Sequence, residues 1–388
     1  MPVAVTYNPF LPEMISDPYP AYRRLREDDP VHYSDVVRSW VLTRYDDVAK
    51  ALGDPQLSSD RTKARKYRGT RRTAGGTFQT DPPQHTRIRN LVNKAFTPKL
   101  IETMRERVES VVDHLLDELA RHDEVDIIDA FAYPLPMTVI SEIIGAPTED
   151  HAMFQRWGRE LAPSLDHTFS GRSQVTVGAD MGTYFATLVP ERRKSPRDDL
   201  ITALIEVSDG EDRLADHEVL EVLIFLLFAG HETTVNLIGN GFLSLLRNPD
   251  QLARVRDEEL SRKCVEELLR YESPAQIIAR TVNEDLEWDG HTFREGDAVV
   301  GLLGAANRDP ERFEDPDTLD AGRTPNPHVA FGHGPHFCLG AQLSRLEGRV
   351  AVPALVRRFP RVQLVDPTPD WRQTAVLRGL NSLVVTLN

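Results

Sequence analysis

Phe331-Gly332-His333-Gly334-Pro335-His336-Phe337-Cys338-Leu339-Gly340 brings one cysteine, two histidines and three glycines into ten residues. A cysteine alone says little, because most free cysteines are small packing residues. The glycines change its meaning. They reach backbone angles closed to other residues, so the segment can turn tightly enough to aim several N–H groups at one sulfur. Such donors stabilise a thiolate, the form in which cysteine binds a metal. Ala341-Gln342-Leu343-Ser344-Arg345-Leu346-Glu347 follows and reads as a helix, whose N-terminus adds positive partial charge beside the sulfur.

Three other segments carry chemistry. Ala229-Gly230-His231-Glu232-Thr233-Thr234 lies within an apolar, helix-patterned stretch, 218–246. A glycine there costs ~1 kcal/mol against alanine, and an acid beside a hydroxyl resists burial unless both find partners. Three unfavourable choices so close together mark a functional site. Asp81-Pro82-Pro83-Gln84-His85-Thr86-Arg87-Ile88-Arg89 reads as a turn feeding a helix, with His85 and Arg89 one turn apart on one face. Two such cations repel unless an anion lies between them. Glu267-Leu268-Leu269-Arg270 sets an acid and a base three apart, a pair common on helix surfaces.

Together these segments resemble the cytochrome P450 family, the haem-thiolate monooxygenases. Phe331, Gly332, Gly334, His336, Cys338 and Gly340 stand where that family's haem-ligand loop has them. Residues 229–238 are similar to actinobacterial members that tailor secondary metabolites. The resemblance implies one domain over residues 1–388, mainly α with small β-sheets (α+β), holding haem b (iron protoporphyrin IX) between the oxygen-binding helix and the ligand loop. It makes Cys338 the proximal iron ligand, whose thiolate pushes electron density towards the metal, and His85, Arg89, Arg280 and His336 the propionate ligands. Glu232 and Thr233 become the catalytic pair: the helix opens at Gly230 and Thr233, Thr233 offers its hydroxyl to dioxygen, and Glu232 relays protons from solvent. Glu267 and Arg270, joined by Arg323, lock the meander under the ligand loop. Phe225, Phe228, Ala229, Gln276, Ile277, Ile278, Val376 and Leu377 are expected to face the haem from the substrate side. Ser344 replaces a frequent alanine, a change expected to be silent.

That lining is apolar with one amide, so the expected substrate is an apolar or amphipathic small molecule. The expected reaction inserts one oxygen atom into a C–H or C=C bond. No flavin or iron–sulfur segment is apparent, so electrons from NAD(P)H are expected through a ferredoxin reductase and a ferredoxin, docking near Arg87, Lys94 and Arg349. An H2O2-driven peroxygenase and a haem sensor or ligand-binding protein are the rival readings; the acid–threonine pair argues against both.

The net charge of −14 over 388 residues argues for a soluble protein and against general nucleic-acid binding. Only Cys264 accompanies Cys338, which fits a reducing cytoplasm. The N-terminus shows no signal peptide or anchor, and the most apolar run, 222–230, falls short of the ~20 residues that span a bilayer. Against the acidic background, Arg61, Lys63, Arg65, Lys66, Arg68, Arg71 and Arg72 set seven cations into twelve residues. This loop is either a solvated segment or an attractor for an anion, such as a carboxylate substrate or an acidic acyl or peptidyl carrier protein.

The patterning predicts a short helix from Tyr19, a hairpin over 31–43, a helix at 45–52 and a loop over 61–80. Helices follow to about Arg270, broken near Pro98, Pro134, Pro190 and Pro249. Strands fill 273–303 with a turn at Asp289-Gly290, a Pro-rich meander covers 309–327, and short strands close the chain.

Overall fold

The computed structural model describes residues 6–67, 76–169, 177–209, 211–256 and 258–387. Helices fill the middle of the chain and strands its two ends. The helices used below are α1 (Gln84–Ala95), α2 (Pro134–Ile144), α3 (His151–Phe169), α4 (Val177–Lys194), α5 (Asp216–Leu246), α6 (Glu258–Tyr271) and α7 (Ala341–Arg358). Pro98, Pro134 and Pro249 each open a helix, where the missing N–H costs nothing. Pro190 does not break the chain as expected: it lies inside α4, which runs on to Lys194.

The predicted hairpin is β1 (Val31–Ser34) and β2 (Ser39–Leu42). These strands join β3 (Leu57–Ser58), β4 (Ile277–Val282) and β5 (Ala298–Leu302) in one sheet, ordered β1-β2-β5-β4-β3. The contact between β2 and β5 is parallel, so the sheet unites both ends of the chain. Val299 pairs with Arg280 across β5 and β4, and Ser58 pairs with Thr281 across β3 and β4. That register brings the start of the basic loop beside Arg280. Asp289 and Gly290 both take positive φ, 47° and 79°, as a tight primed hairpin turn requires.

α5 is the axis of the main core. Val222, Leu223, Val235, Leu237, Ile238 and Phe242 are buried there. By length and composition this helix could cross a membrane, yet 72% of its most apolar window is buried within the protein. It is therefore a core helix, and its apolar extent exceeds the run visible in sequence.

The meander has no regular structure to hold it and is tied down by charge instead. Glu267, fully buried, accepts from Arg270 Nε at 2.7 Å, Arg323 Nε at 3.1 Å, the Asp320 amide at 2.9 Å and Asn326 Nδ2 at 3.1 Å. Arg270 donates onward to the carbonyls of Asn307, Pro316 and Thr318. Glu267→Ala leaves two guanidinium groups without their buried counter-ion. It is expected to cost about 3–5 kcal/mol, read as a lower urea midpoint; a variant within ~1 kcal/mol of wild type would show that the network contributes little.

Candidate active site

One cavity of about 340 Å³ lies between α5 and the ligand loop. The loop folds as its glycines require: Gly332 and Gly334 take φ of 74° and 72°, and a Cβ on Gly334 would meet the Gly53 backbone at 3.0 Å. The Cys338 amide donates to the Phe331 carbonyl at 2.9 Å, closing the turn. Cys338 faces the cavity. Burial pushes its thiol up, while the Gly340 and Ala341 amides and the Arg89 and Arg345 charges favour the thiolate. Cys264 is buried elsewhere, with its thiol pushed up to about 12, as a packing cysteine should be.

His85, Arg89, Arg280 and His336 all reach the wall of this cavity. The two imidazoles stack with centroids 3.8 Å apart. Among the described residues neither nitrogen of His85 has a hydrogen-bond partner, and Arg280 Nη2 has none either, although both side chains are buried. Burial lowers both histidines, His336 to about 3, and lowers Arg280 to about 10. Four basic groups around one apolar chamber, two of them with polar atoms unspent among the described residues, fit a dianion with an apolar body, and a thiolate on the same wall fits its iron. These residues suit a haem.

α5 forms the opposite wall with Phe225, Leu226, Ala229, Gly230, Thr233 and Thr234. The helix does not open at Gly230: it is α-helical throughout, and the Thr233 hydroxyl donates back to the Ala229 carbonyl at 2.8 Å. This local bond absorbs the polar group without unwinding the turn. Thr233 lines the cavity but Glu232 does not. Glu232 is 1% exposed and pairs with Arg372, which follows β6 (Asp370–Trp371) in a hairpin with β7 (Leu380–Ser382). Sequence gave no sign of this partner, 140 residues away. On the next face His231 contacts the Tyr133 carbonyl at 3.3 Å, and burial lowers its imidazole to about 3.

Of the eight expected pocket residues, Phe225, Ala229, Ile277 and Ile278 line the cavity, with Phe225 stacked on Phe78 at 4.8 Å. Phe228, Gln276, Val376 and Leu377 do not. Phe228 packs instead against the main core cluster, although it lies one turn from Phe225. Gln276 is spent on structure: its Nε2 donates to the Ser273 carbonyl at 2.8 Å, and its carboxamide packs where a Cβ on Gly304 would collide. Val376 belongs to the core cluster with Tyr7, Met14 and Tyr19, and Leu377 pairs with Ala275 in a backbone bridge. Asp166 on α3 accepts from the amides of Ala375 and Val376 at 2.7 and 2.9 Å and so fixes this turn.

Ser344 is not silent: its hydroxyl accepts from Thr234 Oγ1 at 3.3 Å on the cavity wall. Behind them Glu347 is 1% exposed, and burial raises its carboxyl to about 8 against the opposing Thr234 hydroxyl. The expected docking cations are partly claimed by the fold. Arg87 pairs with Asp212 and Glu218, and Arg349 pairs with Glu266. In the basic loop, Arg68, Arg71 and Arg72 lie outside the described residues, while Arg61 lines the cavity.

A thiolate loop facing a helix-borne hydroxyl across an apolar chamber defines a haem-thiolate oxygenase. The cytochrome P450 family model matches residues 34–170 and 179–379. Cytochrome P450 107B1 of Saccharopolyspora erythraea is 44% identical over 388 aligned positions, covering 95% of each chain. The polyketide biosynthesis cytochrome P450 PksS of Bacillus subtilis is 38% identical over 98% of each. The PksS structure superposes with a TM-score of 0.91 at 37% identity, covering 99% of this chain and all of that one. P450BioI, solved with a hexadec-9Z-enoic acid-ligated acyl carrier protein, gives 0.89 at 36% identity, covering 97% and 99%. The chain belongs to the cytochrome P450 family; it is a haem-dependent monooxygenase.

His231 makes the pH dependence of folding specific. The unfolded chain protonates this residue near pH ~6.5, whereas the folded state takes the proton only near 3. The His231 contribution is therefore complete above pH ~6.5 and declines as pH falls, by about 2 kcal/mol at pH ~5. Urea unfolding of His231→Gln should show a flatter stability profile than wild type over this window; parallel profiles would assign the slope to other groups.

Proposed function

We propose that this protein inserts one atom of O2 into a C–H or C=C bond of an apolar or amphipathic small molecule in secondary metabolism. It acts as one domain in the cytoplasm, with electrons from NAD(P)H through a ferredoxin reductase and a ferredoxin. Bound haem supplies the oxygen-activating chemistry. The chain supplies the rest. Cys338 would hold the iron, and His85, Arg89, Arg280 and His336 would hold the propionates. The apolar wall around Phe78, Phe225 and Ile278 excludes water and orients the substrate. Thr233 holds a proton at Oγ1 on the cavity wall, and Glu232, beside Arg372, is the acid through which that proton is replaced. The observation that carries the reading is the adjacent pair, Thr233 on the chamber and Glu232 turned away from it towards a partly exposed arginine. The names of the relatives add polyketide biosynthesis and an acyl carrier protein; they support a polyketide-like or acyl substrate, free or carrier-tethered.

Thr233→Ala separates this reading from a peroxygenase. With O2, NADPH and a ferredoxin pair, coupled product formation should fall about 100-fold, while turnover driven by H2O2 persists. Equal activity of variant and wild type in the O2 assay would remove Thr233 from the proton path.

A further inference from the structure

Four cations of the basic loop are described, and three of them are committed to the fold. Lys63 donates to Asp81 at 2.7 Å and Asn283 at 3.0 Å. Arg65 pairs with Asp297 at 3.2 Å, and Lys66 donates to the Val37 carbonyl at 2.9 Å and Ser39 Oγ at 2.8 Å. Arg61 differs. Its guanidinium has no hydrogen-bond or ion-pair partner among the described residues, and its side chain lines the cavity.

The charge around it is one-sided. Arg280 and Lys66 both feel the Arg61 charge as a repulsion. The acid that acts on Arg280, Asp81, is already taken by Lys63, Ser58 Oγ and the Ser59 amide. A haem brings two propionates, for which the wall offers Arg89 and Arg280 along with His85 and His336. Arg61 is a surplus cation by that count. A guanidinium stays charged at any physiological pH, and Arg61, partly withdrawn from solvent on the cavity wall, gains from a partner. Burial works against the charged form of Arg61, and among the described residues the Tyr67 phenol is the group that favours it. No described residue supplies a partner, so the ligand is the candidate to bring one.

We propose that Arg61 is the anion anchor of the substrate chamber, and that the substrate has an apolar body ending in a carboxylate. This rests on the monooxygenase reading and narrows its substrate class. It moves recognition of the anion from the loop surface to a single side chain within the cavity. The Arg61 fork can donate to both oxygens of a carboxylate at once, while the walls formed by Phe78, Phe225 and Ile278 take the apolar body. A carrier-tethered acyl group has no free carboxylate, so the proposal favours the free acid.

The test is an absorbance spin-state titration of the haem-loaded enzyme with octanoate, dodecanoate and hexadecanoate, each against its methyl ester. Wild type should bind the acids more tightly than the esters. Arg61→Gln should erase that preference, weakening acids about 10- to 100-fold while leaving esters unchanged; Arg61→Lys should restore part of it. Acids and esters binding alike, no response to any member of the series, or a preference that survives Arg61→Gln would overturn the proposal. So would binding confined to a dodecanoyl-carrier conjugate. If Arg61→Gln instead lowers haem retention with the acid preference intact, Arg61 serves a propionate and the proposal fails. None of these outcomes touches the monooxygenase reading, which fails separately if the ferrous carbon-monoxide complex lacks its thiolate Soret band.

Discussion

Two adjacent acids on α6 hold the ligand loop from both sides. Glu267 gathers Arg270, Arg323, Asn326 and the Asp320 amide, so the meander before the loop is fixed without a helix or strand of its own. Glu266 receives Arg345 and Arg349 from α7, after the loop, and His328 just before it. Burial alone would raise Glu266, but His328 and Arg345 outweigh it and hold the carboxyl down at about 2. The path continues through Asn307, whose Oδ1 accepts from the Val329 amide at 2.8 Å; the Val329 carbonyl then accepts from Gly332. A buried carboxylate is tolerable only when its acceptor capacity is filled. That demand makes an irregular segment as definite as a strand, and the position of Cys338 inherits it.

The chamber divides its polar groups by function. Among the described residues its wall carries cations in excess and no carboxylate, while Glu232 and Glu347 lie behind it. A carboxylate on the wall would compete with haem propionates for the same donors and would repel any anionic ligand. Hydroxyls take the intermediate places. Thr233 and Thr234 face the chamber; Thr233 is quieted by its bond to the Ala229 carbonyl, and Thr234 by its contact with Ser344. Such bonds are weak enough to be exchanged for a ligand contact, which an ion pair in the same place would not be.

Much of this was legible in the sequence because the deciding features are local. The ligand loop is a contiguous pattern, and so are the Pro-initiated helices, the His85/Arg89 spacing and the Asp289-Gly290 turn. All five of the residues assigned to haem converge on one cavity. The misses share a cause. Gln276, Val376 and Leu377 lie in the right strand and turn, but backbone bonding between the segments turned their side chains elsewhere. Arg372 reaches Glu232 across 140 residues, and Thr234 meets Ser344 across 110. No one-dimensional spacing rule reports such pairs. Pro190 fails in the other direction: its local preference is overridden because core packing of Phe185, Leu188 and Val189 holds α4 before it and the buried Arg192–Asp199 pair holds it after.

The basic loop shows where a count of charges stops being informative. Seven cations in twelve residues read as one electrostatic object. In the fold, each described cation has its own fate, set by Asp81 and the distant Asn283 for Lys63, by Asp297 more than 200 residues away for Arg65 and by the β1–β2 hairpin for Lys66. What matters for recognition is the remainder after these pairings, and among the described cations that remainder is a single side chain. A surface cluster of solvated cations is screened over about 8–10 Å at physiological ionic strength. One unpaired guanidinium on an apolar wall is screened far less, so it discriminates between ligands more sharply than the larger cluster would.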